Sequence, residues 1–128
     1  MNTYRVRRFG RMQDFQKLIV WRRARALGLR VDVAIRAFPR GKSATVRTQL
    51  GRAADSIAAN IVEGCGAASQ REFARYLDIA IKSSSETQHH LMVANERGLL
   101  ATAEYAPLAD EAVEIRRMLY GLRRKLLG

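Results

Sequence analysis

Apolar residues recur at alternating spacings of four and three in four separate segments, and this pattern constrains the fold most strongly. The clearest segment is the last, in which six such residues follow one another: Leu108, Ala112, Ile115, Leu119, Leu122 and Leu126. The spacing places these side chains on one face of an α-helix. No segment shows the period-two alternation that is typical of a strand. The sequence therefore predicts an all-α protein.

The other three segments run over residues 20–38, 46–61 and 73–94. Four helices joined by short connections bury their apolar stripes best when neighbours run in opposite directions. We therefore expect an antiparallel up-down-up-down four-helix bundle. A length of 128 residues suits one domain. The predicted bundle occupies residues 13–128, and residues 1–12 form a basic N-terminal arm.

Two connections carry recognisable turn and capping residues. In "FPRGKS", Pro39 disfavours helical geometry at the residue before it, Gly41 supplies a flexible joint, and Ser43 is placed to cap the second helix. In "SQRE", Ser69 and Glu72 have the spacing of a capping box, in which each side chain satisfies a free backbone N–H group. These residues predict the starts of the second and third helices.

The remaining boundaries depend on glycine and proline. The second helix is expected to stop at "EGCG", where Gly64 or Gly66 can adopt the left-handed conformation that other residues resist. The stretch "GLLATAEYAP", residues 98–107, is expected to be a loop before the last helix.

Positive charge is concentrated near the N-terminus. Residues 1–52 contain fourteen of the 23 Lys and Arg residues but only Asp14 and Asp32 as acids, a net charge of +12, whereas the remainder carries −1. Such asymmetry attracts polyanions. The alternative is a solvated, arginine-rich surface without a ligand. The candidate nucleic-acid-binding residues are Arg22, Arg23, Arg25, Arg30, Arg36, Arg40, Lys42 and Arg47.

These basic residues predict a phosphate-dominated contact with RNA or DNA, because no base-reading motif accompanies them. Arginine suits this role, since its guanidinium group can fork onto phosphates and stack on bases. Trp21 lies beside the first apolar stripe, where packing is favoured over base stacking. A competing hypothesis is a structural assembly module whose charge recruits an acidic protein.

A polar row follows the apolar stripe of the second helix. Arg52, Ser56, Asn60 and Glu63 are three or four residues apart and therefore share one side of that helix. The row favours a seam between helices or subunits, in which an Asn can fix the register. Contact with a ligand or RNA is the alternative. The full set of candidate seam residues is Gln49, Arg52, Ser56, Asn60, Glu63 and Glu86.

The sequence indicates no enzyme, cofactor or metal. "RGKS" resembles the end of a P-loop, but Arg36 stands where that motif needs a glycine. "ETQHH" has the Glu-x-x-His spacing of di-iron bundles at Glu86 and His89, but the chain has only two histidines and lacks a second such motif. Cys65 has no local histidine and favours an inert thiol.

Second apolar stripes predict self-association, because a monomeric bundle needs only one stripe per helix. They comprise Ala26, Leu29 and Val33 in the first helix, and Ala106, Val113, Tyr120 and Leu127 in the last. A cytoplasmic location is expected, since the chain has a single cysteine, no apolar run of membrane-spanning length and no signal-peptide core.

Four stretches together resemble a known family: "VWRRARALGLRV", "FPRGKS", "TQLGRAADSIAANIVEG" and "FARYLDIAIKSSSE". The most specific matches are Gln49, Arg52, Ala53, Ser56, Ile57, Asn60, Ile61, Glu63, Gly64, Ala80, Ser83 and Glu86. The chain resembles bacterial four-helix-bundle proteins that include the products of intervening sequences in large-subunit ribosomal RNA genes and the accessory variability determinants of diversity-generating retroelements. It departs from the family pattern at Lys82, where a glycine is usual, and in its arginine-rich arm.

This resemblance implies a non-enzymatic bundle that assembles into a five-fold ring or barrel. Accessory members of the family work with nucleic acid and a reverse transcriptase. A reverse transcriptase is therefore an expected partner only if a retroelement lies near the gene.

Overall fold

The computed structural model of the protein describes residues 14–41 and 43–128. Across these residues it contains four α-helices, one short 3₁₀ helix before them and no β-strand. The helices are α1 Ile19–Arg36, α2 Ala44–Cys65, α3 Gln70–Glu96 and α4 Thr102–Leu127, and the 3₁₀ helix is Phe15–Lys17. The all-α prediction is confirmed. The predicted N-terminal arm lies outside the described residues.

The core lies between the four helices. α1 contacts α2 and α4, and α3 contacts the same two helices, so the four form a closed arrangement around their apolar stripes. All six stripe positions predicted for α4 are buried, as are Leu27, Leu50 and Leu77 on the other helices. Burying each of these leucines contributes about 1.5–3 kcal/mol. The apolar spacing therefore identified most of the core.

The predicted capping box at the start of α3 is confirmed with one change of partner. Ser69 Oγ accepts a hydrogen bond from Glu72 N–H over 3.1 Å. The Glu72 side chain bonds the residue before Ser69 instead of Ser69 itself. Its Oε1 accepts a hydrogen bond from Ala68 N–H over 3.1 Å. The first bond satisfies a donor that the helix itself leaves free, and the second holds the residue before the N-cap.

The connection between α1 and α2 differs from the prediction at Ser43. This residue occupies the N-cap position of α2, but its side chain caps no backbone N–H. Instead Ser43 Oγ donates to the carbonyl of Pro39 and accepts from Arg47 Nη2 over 2.8 Å. The Ser43 hydroxyl therefore links the connection after α1 to the first turn of α2. Gly41 adopts φ +95°, the left-handed region expected of a flexible joint.

The prediction that Gly64 or Gly66 adopts the left-handed conformation at the end of α2 is wrong. Gly66 has φ −94°, and Gly64 is buried within the helix. The reason for a glycine at position 64 is proximity, since a Cβ there would lie 2.7 Å from Phe73 Cδ1. Glycine is therefore needed for close approach of α2 and α3.

The loop predicted over residues 98–107 is shorter than expected. Gly98 has φ +73° just after the end of α3, but α4 already begins at Thr102 and contains Pro107. Proline lacks a backbone N–H, so its place near the helix start removes only one hydrogen bond of the α4 ladder. The short connection is held by Asn95 Nδ2, which donates to the Leu100 carbonyl and to Thr102 Oγ1.

None of these helices combines the length and the apolar character needed to cross a bilayer, as judged over the part of the chain that the structure describes.

Candidate nucleic-acid interface

The outer face of α1 carries the main basic surface. Val20, Leu27 and the other stripe residues turn inward, which leaves Arg22 and Arg25 exposed on the opposite side of the same helix. Arg30 is also exposed, nearer to α4. We call Arg22, Arg25 and Arg30 the α1 basic face. No carboxylate within residues 14–41 and 43–128 forms an ion pair with any of the three.

Two members of the α1 basic face are held by neighbouring groups. Arg22 Nε donates to the carbonyl of Gln16 over 3.0 Å. The Arg25 guanidinium carbon lies 5.9 Å from the centre of the Trp21 ring, within the range of a cation–π contact. Phe15 meets Trp21 edge to face, with ring centres 4.9 Å apart. Trp21 thus packs as the sequence favoured and also positions an arginine.

Arg23 is less available than the sequence indicated, because its side chain turns towards α4. Its Nε and Nη2 donate to the two carboxylate oxygens of Glu111 over 2.8 and 2.7 Å. These charge-assisted hydrogen bonds lower the pKa of Glu111, although partial burial opposes the change. The pair joins α1 to α4.

The remaining candidate cations differ in their surroundings. Arg36 lies 3.8 Å from Asp32, an exposed pair that contributes little. Arg40 is exposed in the connection after α1. Arg47 is half-buried, and its Nε is buried without a hydrogen-bond partner in the described part of the chain. Lys42 lies outside the described residues.

Only part of the predicted polar seam joins two helices. Ser83 Oγ on α3 donates to Ser56 Oγ on α2 over 2.8 Å. Asn60 Nδ2 donates to the Ser56 carbonyl and hydroxyl, both at 2.9 Å, so these Asn60 bonds stay within α2. The interhelical contact is therefore a pair of serines, which allows the two helices to approach closely.

The other four candidate seam residues face solvent. Gln49, Arg52 and Glu63 are exposed on α2, and Glu86 is exposed on α3. Across the described ranges, no ion pair involves Arg52, Glu63 or Glu86. The polar row is thus divided between a helix contact at Ser56 and an open surface on either side of it.

Sequence reasoning missed a notch between α1 and α2. It has a volume of about 270 Å³ and lies beside Arg25, with Gly28 on one wall and Asp55 on the other. The only signal in the sequence was a glycine inside a helical segment, which often marks a close approach. A Cβ at Gly28 would lie 3.3 Å from Asp55 Oδ1.

The other chemical candidates have different environments. Burial raises the pKa of the Cys65 thiol to about 12, so very little reactive thiolate forms at neutral pH. His89 and His90 have ring centres 5.1 Å apart, and partial burial lowers the pKa of His90. Within the described residues, no three side chains of His, Cys, Asp or Glu form a group able to hold a metal ion.

The structure thus defines a four-helix protein with an exposed arginine face on one helix. The chain belongs to the 23S rRNA-intervening sequence protein family, whose model matches residues 16–121. No curated protein matches the chain.

A solved structure has the same fold. It is the crystal structure of a protein of unknown function from the S23 ribosomal protein family of Bacteroides thetaiotaomicron. The two sequences are 23% identical, the match covers 82% of this chain and 98% of the other, and the TM-score is 0.76.

Proposed function

We propose that this protein is a non-enzymatic, cytoplasmic, oligomeric adaptor that holds nucleic acid on the α1 basic face with little sequence specificity. The observation that carries this proposal is the exposure of Arg22, Arg25 and Arg30 without ion pairs to any described carboxylate. Guanidinium groups that form no ion pair can donate to phosphate oxygens without first breaking a contact with a carboxylate.

Phosphate contacts of this kind have a measurable signature. Each phosphate that a cation neutralises releases condensed counterions, so the logarithm of the binding constant falls linearly with the logarithm of the salt concentration. Phosphates are the same for every base, and such a contact therefore tolerates many sequences.

The test compares two variants with the same change in charge. The first replaces Arg22, Arg25 and Arg30 with Gln. The second replaces three exposed arginines of α3 and its end, none in an ion pair to a described carboxylate, with Gln: Arg71, Arg75 and Arg97. Binding to a labelled single strand is measured by fluorescence anisotropy at several salt concentrations.

We expect the α1 variant to lower the salt slope by about 2, because each phosphate contact to a single strand contributes about 0.7. The α3 variant should change the slope much less. Equal losses in the two variants would reject the α1 basic face as the site. Absence of binding to any polyanion at low salt would reject the nucleic-acid function.

Our proposal includes antiparallel neighbouring helices. Supporting it is the order of contacts between α3 and α4, where Arg116 bonds Ser85 and Gln88 but Arg123, further along α4, bonds Asp78, earlier on α3. Distances between spin labels placed at the helix ends would test this direction.

Assembly into a ring of five is a further part of the proposal and comes from the family resemblance. The exposed apolar residues of the second stripes support self-association, since Leu29, Val33, Tyr120 and Leu127 are each about half exposed or more. Light scattering would test it, with a mass near five times 14.4 kDa expected. A mass of 14.4 kDa at micromolar concentration would reject it.

A second candidate is a structural assembly module that binds an acidic protein and has no direct role with nucleic acid. Leu29 and Val33 favour it, because they are 54% and 62% exposed among the arginines of α1. Apolar anchors of this kind are typical of protein interfaces. Binding of an acidic protein that the Arg22, Arg25 and Arg30 changes abolish, with no affinity for polyanions, would favour this candidate.

A role beside a reverse transcriptase remains a narrower form of the first proposal. It applies only if a retroelement lies near the gene, and inspection of the neighbouring genes tests it directly.

A further inference from the structure

The notch between α1 and α2 combines three kinds of wall. Its cationic wall is Arg25, its apolar wall is Leu29, and its acidic wall is Asp55 with Asp32 nearby. Ala24, Ala54 and Ala58 complete the lining. These small side chains and Gly28 leave an open space between two helices.

Asp55 is an exposed acidic residue that lines the notch. Its carboxylate accepts no hydrogen bond from any group in residues 14–41 and 43–128. Partial burial raises the pKa of Asp55, and the nearby charge of Asp32 adds to the increase. A carboxylate in this position gains from a ligand that donates N–H groups, because such bonds offset its partial desolvation.

Arg25 is already oriented at the other side. Its guanidinium carbon lies 5.9 Å from the centre of the Trp21 ring, and the side chain is exposed. An arginine can place one face of its guanidinium group on an aromatic ring and its N–H edge against a phosphate. One residue can therefore touch both parts of a nucleotide.

We propose that the notch binds one unpaired nucleobase of a single-stranded nucleic acid, with Arg25 against the base and its phosphate and Asp55 accepting from the base amino group. This inference rests on the proposed function and names the form of nucleic acid that it involves. A duplex fits less well, because a base must leave its stack and its partner before it can enter, which costs a few kcal/mol.

The acidic wall also predicts which bases bind best. An ionised carboxylate only accepts hydrogen bonds, so it favours bases that carry an amino group. Cytosine, adenine and guanine present such a donor, whereas thymine carries a carbonyl oxygen where cytosine carries its amino group. The notch should therefore prefer cytosine to thymine, on top of phosphate binding that does not distinguish them.

The experiment uses the full chain and three single strands of equal length, which are oligo(dC), oligo(dT) and an abasic strand, together with a duplex of the same length. Affinity is measured by anisotropy at one fixed salt concentration. Trp21 is the only tryptophan of the chain, so its fluorescence reports directly on events next to Arg25. We expect oligo(dC) to bind roughly tenfold more tightly than the abasic strand and to change the Trp21 emission.

Two variants separate base binding from charge. Gly28→Ala keeps every charge but places a methyl group 3.3 Å from Asp55 Oδ1 in the notch. It should remove most of the difference between oligo(dC) and the abasic strand. Gly121→Ala is the matched control, because a Cβ there meets nothing closer than 3.9 Å and Gly121 lies away from the notch.

Asp55→Asn tests the base preference. The amide both donates and accepts, so the variant should bind oligo(dC) and oligo(dT) about equally, whereas the unchanged protein prefers oligo(dC) several-fold. A preference for cytosine that survives this change would overturn the role of Asp55.

Equal affinity for oligo(dC) and the abasic strand would overturn the proposal that the notch binds a base. It would leave the phosphate-binding function in place. Tighter binding of a duplex than of a single strand, with no change in Trp21 emission, would also overturn it. Absence of binding to all three strands at low salt would overturn the proposed function together with the notch.

Discussion

Two polar regions of this protein, a contact of serine and asparagine side chains and a face of arginines, are satisfied in different ways. At the contact of α2 and α3, Ser56 and Ser83 hydrogen bond to each other, and Asn60 donates to Ser56. On the α1 basic face, Arg25 lies near an aromatic ring, and neither Arg25 nor Arg30 forms an ion pair with a described carboxylate. The first region is internally complete, and the second is available for a ligand.

The difference shows how a polar row on a helix should be interpreted. Polar groups whose hydrogen bonds are closed within the protein specify how helices approach, because breaking them leaves buried groups unpaired. Charged groups that remain exposed and unpaired contribute little to folding and can be used for binding. We therefore expect changes at the α2–α3 contact to alter stability and changes on α1 to alter affinity.

The largest effect on stability is expected from Gly64→Ala. The added methyl group would lie 2.7 Å from Phe73 Cδ1, so the buried Phe73 ring or the two helices must shift. We expect a loss of about 1–3 kcal/mol in the free energy of unfolding, measured in urea. Gly121→Ala is the control and should be neutral or stabilising, since its site is open. Equal results for the two variants would contradict a close approach at Gly64.

A smaller effect is expected for the serine pair. Ser56→Ala and Ser83→Ala should each destabilise the protein by about 1 kcal/mol. A double-mutant cycle should give a coupling energy of about 0.5–1.5 kcal/mol, because each change removes the same hydrogen bond. Affinity for nucleic acid should stay unchanged in all three variants. Additive losses would show that the hydroxyl contact at 2.8 Å contributes no interaction energy.

A still smaller effect on stability is expected from the ion pair between Arg23 and Glu111, which joins α1 to α4. The hydrogen bonds from Arg23 lower the pKa of Glu111 in the folded protein. The pair therefore contributes its full stability above the ordinary glutamate pKa of about 4.3 and loses it as the pH falls through the lower folded value. We expect less than about 1 kcal/mol, because Arg23 is partly exposed.

Glu111→Gln should remove this part of the acid sensitivity, which melting curves between neutral and acidic pH can measure. Glu104→Gln is a suitable control, since Glu104 is exposed at the start of α4. An identical pH profile for Glu111→Gln and the unchanged protein would contradict the contribution of the pair.

The smallest effect is expected for the reaction of the Cys65 thiol with a thiol reagent. Its thiol is 2% exposed and its pKa is raised to about 12, so a thiol reagent at neutral pH should react very slowly with the folded protein. Reaction should become fast only above the urea concentration that unfolds the chain. Rapid labelling without urea would mean that the end of α2 opens locally, and would weaken the contrast between the two regions.

Sequence spacing identified the helices and most of the core, because an apolar stripe on a helix is buried regardless of which element packs against it. It also located the capping box at Ser69 and the charge of α1. The spacing could not predict that Arg23 is paired while Arg25 is exposed. That difference depends on whether each side chain faces a neighbouring helix or solvent. Likewise, the separation of Ser56 from its exposed neighbours depends on Ser83, 27 residues away.

By itself, then, the sequence determined an all-α chain, the inward face of each helix and the part of the chain that carries excess positive charge. These properties follow from local spacing and composition. Only the tertiary structure decided that Arg23 pairs with Glu111, that Gly64 admits Phe73, and that Gly28 and Asp55 border a notch. Each of these depends on the distance between two helices, which is set by the packing of many side chains and by no single segment.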